Sequence, residues 1–461
     1  PEAEARTPEW EPRQEILAIR DRVVSDRVKT LHRREIPDIE RVAAAPDVVM
    51  PANTEAMRQA GAAAVEEFNP PEPERATVSG LPAEAGKAAT GSMVMDDSKP
   101  ETISPGFFAE NKSGVTETRA IENALTARIS TYTGRRDRQY GYFKIEIERA
   151  GEDVLPVLPK DIIFVQDCSA SMAEQRLYFC RKGLSDCLSL LGENDRFNVA
   201  GFRDKLDLCF RGWKTGNPEA IREAQKFISE MKSEGSTDIL MSIRELRKLK
   251  HTPGRPIIAL VITDGRSTAG LTESTGIIGK FTSLNDGRIS VFTMGTIGAA
   301  NMYLLDMLSY CNRGSGFMTE GGRWGIPESM TAITKEISRP VLSAVKFRLA
   351  DAGECELYPS LTSNLYLDRS LVLYGRYPRG RSKIVFQAAG KAGDVRCSMV
   401  FDLDLENARS SRDKDIRQEW AKQKIYSLMG DYAREPGSEI MRELKNTARE
   451  YGERIPYRSH L

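Results

Sequence analysis

The chain has 461 residues, 40% of them hydrophobic, so it can bury a sizeable core and is long enough for two folded units plus additional segments. Lysine plus arginine and aspartate plus glutamate both number 66, and this balance argues against nucleic acid as a primary partner, because phosphate binding draws on a basic excess. No apolar run reaches the roughly 18 residues of a membrane-spanning helix.

Residues 1–45 read as a charged helical segment, with Ile16, Ile19, Val23, Val24, Val28 and Leu31 at helical spacing. Residues 46–115, rich in Ala, Pro, Glu, Gly and Ser, read as a flexible linker. Residues 116–157 hold two strand-like stretches around the charged turn TGRRDR. Tyr142, Lys144, Glu146 and Glu148 alternate there with Phe143, Ile145 and Ile147, the pattern of a strand with one solvated face. This hairpin is expected to pair with strands far downstream.

Residues 158–340 alternate strands and helices, beginning with the apolar run Ile162, Ile163, Phe164, Val165. The alternation predicts a doubly wound, mostly parallel α/β sheet with helices on both faces. The antiparallel exception is a hairpin turning near Arg203, Asp204 and Lys205. Cys180 and Cys187 fall on the apolar face of the first helix with Leu177, Leu184 and Leu188, where a small buried hydrophobe is a better reading than redox chemistry. Pro340 stops the last helix. Residues 341–408 carry short strands and turns without a helical period, predicting a small β-sandwich that follows the α/β unit or encloses it as an insertion. Residues 409–461 hold two amphipathic helices, marked by Ile416, Trp420, Ala421, Ile425, Leu428 and Met429, then Ile440, Leu444, Ala448 and Tyr451.

The chemistry concentrates behind the first apolar strand. Asp167, Ser169 and Ser171 place one carboxylate and two hydroxyls at alternate positions, where open α/β sheets present ligands. Hard cations such as Mg²⁺ take oxygen ligands and keep positions for water or a partner's oxygen. Further contributors are expected downstream: Thr237, at the start of a helical pattern, and Asp264, at the end of the strand Ile257, Ile258, Ala259, Leu260, Val261, Ile262. Arg266 and Ser267 follow that acid on the rim, as candidate partner contacts or solvated loop. Asp238 reads as a first-turn helix residue that favours the helix dipole. Cys168 is expected to be buried and unreactive.

The set Asp167, Ser169, Ser171, Thr237, Asp264 resembles the metal-ion-dependent adhesion site of von Willebrand factor type A domains. LPKDIIFVQDCSASM, ENDRFNVAGF and GSTDILMSI resemble the type A domain of the inter-alpha-trypsin inhibitor heavy-chain group and its bacterial relatives, and LYPSLTSNLYLDRSLVLYGRY resembles the segment that follows it. The resemblance implies that Ser169, Ser171 and Thr237 touch a divalent ion, Mg²⁺ or else Mn²⁺ or Ca²⁺, that the carboxylates act through water, and that a protein ligand's Asp or Glu completes the shell.

Catalysis is not expected. His32, His251 and His460 are the chain's histidines and none follows a strand as a triad base would. Phosphoryl transfer through Asp167 resembles a DxDx[TV] motif only in part, because Ser169 stands where the second acid belongs. The competing reading is a structural scaffold assembled or tethered through the N-terminal helix and linker, with the metal only stabilising loops. The chain opens at Pro1 instead of Met, and an extracytoplasmic or membrane-anchored location is favoured over the cytoplasm. Partner identity and oligomeric state are not legible.

Overall fold

The computed structural model describes residues 118–120 and 125–460, apart from short breaks at 135–136, 150–154, 350–354, 361–362, 406–407 and 411–414. The helix read at 1–45 and the linker at 46–115 lie outside the described residues.

The first strands are β1 (Thr118–Ala120), β2 (Leu125–Tyr132) and β3 (Tyr140–Arg149). The α/β unit then runs β4 (Asp161–Asp167), α1 (Glu174–Leu188), β5 (Arg196–Phe202), β6 (Leu206–Leu208), β7 (Lys214–Thr215), α2 (Pro218–Glu230), α3 (Ile239–Glu245), β8 (Ile257–Thr263), α4 (Ser274–Asn285), β9 (Ile289–Gly295), α5 (Met302–Cys311), β10 (Gly316–Met318) and α6 (Ile326–Ile337). Its sheet has the order β10-β9-β8-β4-β5-β6, parallel except for β6 and β7, which pair antiparallel with β5.

Every residue of β4, β8 and β9 is buried, as continuous apolar runs at the centre of a sheet covered on both faces must be. Ile163 and Val165 of β4 face a core shared with α3, α4 and α5, while Ile162 and Phe164 face a second core shared with α1, α2 and α6. The chain therefore leaves β4 toward one face and β8 toward the other. These neighbours flank a topological switch point, where a crevice opens beyond the strands' carboxyl ends.

Seven strands and two helices follow: β11 (Pro340–Leu349), β12 (Glu356–Tyr358), β13 (Ser363–Tyr366), β14 (Leu371–Pro378), β15 (Lys383–Ala392), β16 (Val395–Asp404), β17 (Arg409–Ser410), α7 (Asp415–Arg434) and α8 (Ser438–Tyr451). Two five-stranded sheets result, ordered β1-β16-β15-β11-β13 and β12-β14-β3-β2-β17. They share a core in which Phe143, Ile145 and Ile147 of β3 meet Leu342 and Val345 of β11 and Phe386 of β15. β3 pairs with β14 from Tyr140↔Pro378 to Ile147↔Leu371, so one sheet combines strands from before and after the α/β unit. That unit is an insertion in a β-sandwich. The chain enters and leaves it side by side, with the Leu158 amide donating to the Pro340 carbonyl at 2.7 Å.

α7 spans both bodies. Ile416, Trp420 and Ala421 pack with Tyr142 and Tyr451, while Ile425, Tyr426 and Met429 enter the α/β core. It lies so close to α4 that a Cβ on Gly279 would meet the Ala433 carbonyl oxygen at 2.3 Å, so only glycine fits there. Cys168, Cys180, Cys187, Cys209, Cys311 and Cys397 form no disulfide.

Candidate metal centre

Three loops converge at the carboxyl ends of β4 and β8. The first leaves β4 at Asp167, which is fully buried. Its Oδ1 accepts the Ser169 amide at 2.9 Å and its Oδ2 accepts the Thr263 hydroxyl at 2.6 Å. Ser169, buried, brings its Oγ to 3.0 Å from that of the exposed Ser171.

The second loop carries Thr237. Gly235, at φ 78°, turns the chain so that its carbonyl accepts the Ala170 amide at 3.1 Å, and Ser233 Oγ donates to the Ser169 carbonyl at 3.1 Å. Asp238 is the N-cap of α3, accepting the Met241 amide at 2.9 Å, so it sits one step before the helical first turn in which the sequence places it. Thr237 is fully buried and its hydroxyl has no hydrogen-bond partner.

The third loop leaves β8 through Thr263, Asp264 and Gly265. Asp264 is 1% exposed, and its Oδ1 accepts the Arg266 amide at 3.2 Å. This loop clamps the second. Thr268 Oγ1 accepts the Thr237 amide at 2.8 Å, and the Thr237 carbonyl accepts from the Thr268 amide, the Ala269 amide and Ser267 Oγ at 2.9, 3.0 and 3.2 Å. Ser267 is half-buried, its hydroxyl engaged by this loop. Arg266 is exposed, but its guanidinium donates to the Ala299 carbonyl at 2.7 Å.

Sequence reasoning misses Thr263, which bridges Asp167 and the Gly265 amide (2.9 Å), and Thr268. The available signal is Thr263 standing last on a strand, beside an acid and in register with the end of β4.

Electrostatically, the site is short of positive charge. Burial pushes the Asp167 carboxyl up to about 6; the bonds from Ser169 and Thr263 pull it down, and the Asp264 carboxylate adds to the rise. Burial likewise pushes the Cys168 thiol up to about 12, as expected for an inert side chain. Among the described residues no three His, Cys, Asp or Glu side chains cluster as a cage, so the donor set here is two carboxylates and three hydroxyls. A buried, unpartnered hydroxyl and two buried carboxylates on converging loops are the kind of donor set that would suit a hard cation.

Residues 160–314 match the family model described as von Willebrand factor type A domain. The chain contains a von Willebrand factor type A domain. Human inter-alpha-trypsin inhibitor heavy chain H6 is 26% identical over 257 residues, 51% of this chain and 19% of that protein. Human inter-alpha-trypsin inhibitor heavy chain H3 is 23% identical over 292 residues, 60% of this chain and 33% of that protein. The matched part is thus at most about a third of these relatives' own length. A solved von Willebrand factor type A structure from Catenulispora acidiphila aligns with a TM-score of 0.51 at 10% identity, over 73% of this chain and 88% of that one, a likeness of fold. Type A domains are generally protein-interaction modules, and the five residues singled out in the sequence all belong to the three loops at this domain's carboxyl edge.

Proposed function

We propose that the chain is a metal-dependent protein-binding module, used in adhesion or assembly, that works by binding and not by catalysis. Ser169, Ser171 and Thr237 would supply hydroxyl oxygens to a divalent cation, Mg²⁺ above Mn²⁺ or Ca²⁺, and Asp167 and Asp264 the neutralising charge. The ion would supply a Lewis-acidic position for an Asp or Glu of a protein partner. The supporting observation is the Thr237 hydroxyl, fully buried and unpartnered, in a fold whose other loop hydroxyls at this edge are bonded. Leaving such a group unsatisfied costs about 1–3 kcal/mol, which a metal–oxygen contact offsets.

Thr237→Val tests this directly, since valine keeps the shape and removes only the oxygen. The metal-free variant should melt no lower than the wild type, while Mg²⁺ affinity measured by calorimetric titration should fall at least about tenfold. Equal Mg²⁺ binding by both proteins, or none by the wild type, rejects the reading.

A further inference from the structure

Arg176 stands in the first turn of α1, one helix turn beyond the Asp167 loop. Its Nη1 donates to the Ser171 carbonyl at 3.1 Å, lies 3.8 Å from Met172 Sδ, and reaches to 3.9 Å from Asp264 Oδ2. The side chain is 17% exposed, and it spans from the loop after β4 to the loop after β8. Asp264 Oδ1 is held by the Arg266 amide, whereas no hydrogen-bond donor among the described residues reaches Oδ2. Asp167 has neutral donors on both oxygens. Of the two buried carboxylates, Asp264 thus faces this cation, too far for a hydrogen bond and too near to be indifferent to it.

We propose that Arg176 is a resident monovalent counter-ion of the metal centre: it faces Asp264 Oδ2 in the metal-free protein, competes with the divalent ion, and sets the affinity of the site. The inference rests on the reading that the site binds a divalent cation. A guanidinium cannot be discharged near neutral pH, so its charge opposes an arriving dication without relief. The same charge restrains Asp264 while no metal is bound. With a dication in place the local charge becomes +1, which a single carboxylate from a partner neutralises. The arrangement therefore favours ion and acidic partner together over the ion alone.

The experiment uses the full chain with MgCl₂ as the only ligand, comparing wild type, Arg176→Gln, Arg176→Met and Arg176→Lys by calorimetric titration and by melting in chelator. Both neutral variants should bind Mg²⁺ about tenfold more tightly than the wild type and yet melt at lower temperature in chelator. Arg176→Lys, which keeps the charge, should resemble the wild type in both measurements. Neutral variants that bind Mg²⁺ equally or more weakly, or a lysine variant that follows them, overturn the proposal while leaving the metal reading intact. Absence of Mg²⁺ binding by the wild type overturns both. If Arg176→Gln fails to fold, Arg176→Met retains the aliphatic stem and decides the same question.

Discussion

In the proposed metal centre a proton and a divalent cation would compete for the oxygens of Asp167, and the burial of that carboxyl brings the competition close to neutral pH. Its carboxyl is raised from 3.8 to about 6, chiefly by burial, so the metal-free fold prefers the protonated acid. The associated stability is present in full below the unfolded value and is lost as pH rises through about 6. A metal-bound site needs the carboxylate, so the effect of Mg²⁺ runs the opposite way. Apparent Mg²⁺ affinity should be level above about pH 7 and fall up to tenfold per unit below about pH 6, measured by titration across that range; a profile flat down to about pH 5 would remove Asp167 from the site. Asp167, Ser169, Ser171, Thr237 and Asp264 are legible in the sequence because each lies at a strand end or just ahead of a helix. Thr263 and Thr268 are not, because their hydroxyls act on residues about thirty to a hundred positions away: β4–β8 pairing brings Thr263 to Asp167, and the converging loops bring Thr268 to Thr237. Ser267, half-buried, directs its hydroxyl to the Thr237 and Ala269 carbonyls, a local bonding choice that its position after Asp264 does not reveal.

Among the elements, the α4–α7 contact is a sharp test of packing. A side chain on Gly279 must push Ala433 and the whole of α7 outward, because the obstacle is a backbone carbonyl that no rotamer can move. Gly279→Val should therefore destabilise the protein by about 2–3 kcal/mol in denaturant titration, despite valine's greater apolar surface. An unchanged midpoint would mean that α7 is not seated as described. Continuous apolar runs make β4, β8 and β9 readable, and the helical period does the same for α7 and α8. β13 escapes notice: it has four residues, no alternation long enough to register, and a pairing with β11 interrupted by two register shifts. Nor does periodicity show that α7's apolar side chains divide between two bodies. One amphipathic stripe serves equally for one core or for two.

At the scale of the whole molecule that division makes the fold cooperative. Trp420 lies within 5.6 Å of Tyr142 and 5.0 Å of Tyr451 between ring centroids, with the Arg376 guanidinium 4.6 Å from its own ring, while Met429 is buried against the inserted domain. Lys424 adds ion pairs to Glu356 of β12 and Glu443 of α8 at 3.3 and 3.1 Å. Removing α7 and α8 should cost more than about 5 kcal/mol, from Trp420, Ile425 and Met429 at roughly 2 kcal/mol each. Scanning calorimetry should then show the single transition of the intact body split or shifted sharply downward. A truncated chain that melts like the parent would refute the bridging role. The sequence reveals the three parts, a doubly wound sheet, a sandwich and terminal helices, but leaves open whether the sandwich encloses the domain. Long-range pairing of β3 with β14 decides that, and it is a property of the assembled chain.

The hydrogen bond from Leu158 to Pro340 has a mechanical consequence. The inserted domain's two chain ends meet at that junction, and α7 packs against it as a second tie, so tension pulled through the sandwich strands has a route across the junction that does not run along the inserted sheet. Under the proposed function, tension from a partner at the carboxyl edge would meet the opposite geometry: it would run the length of β4 and β8 before reaching the sandwich. The proposed binding edge would therefore load the inserted sheet along its strands, whereas stretching of the sandwich would load it only at its base.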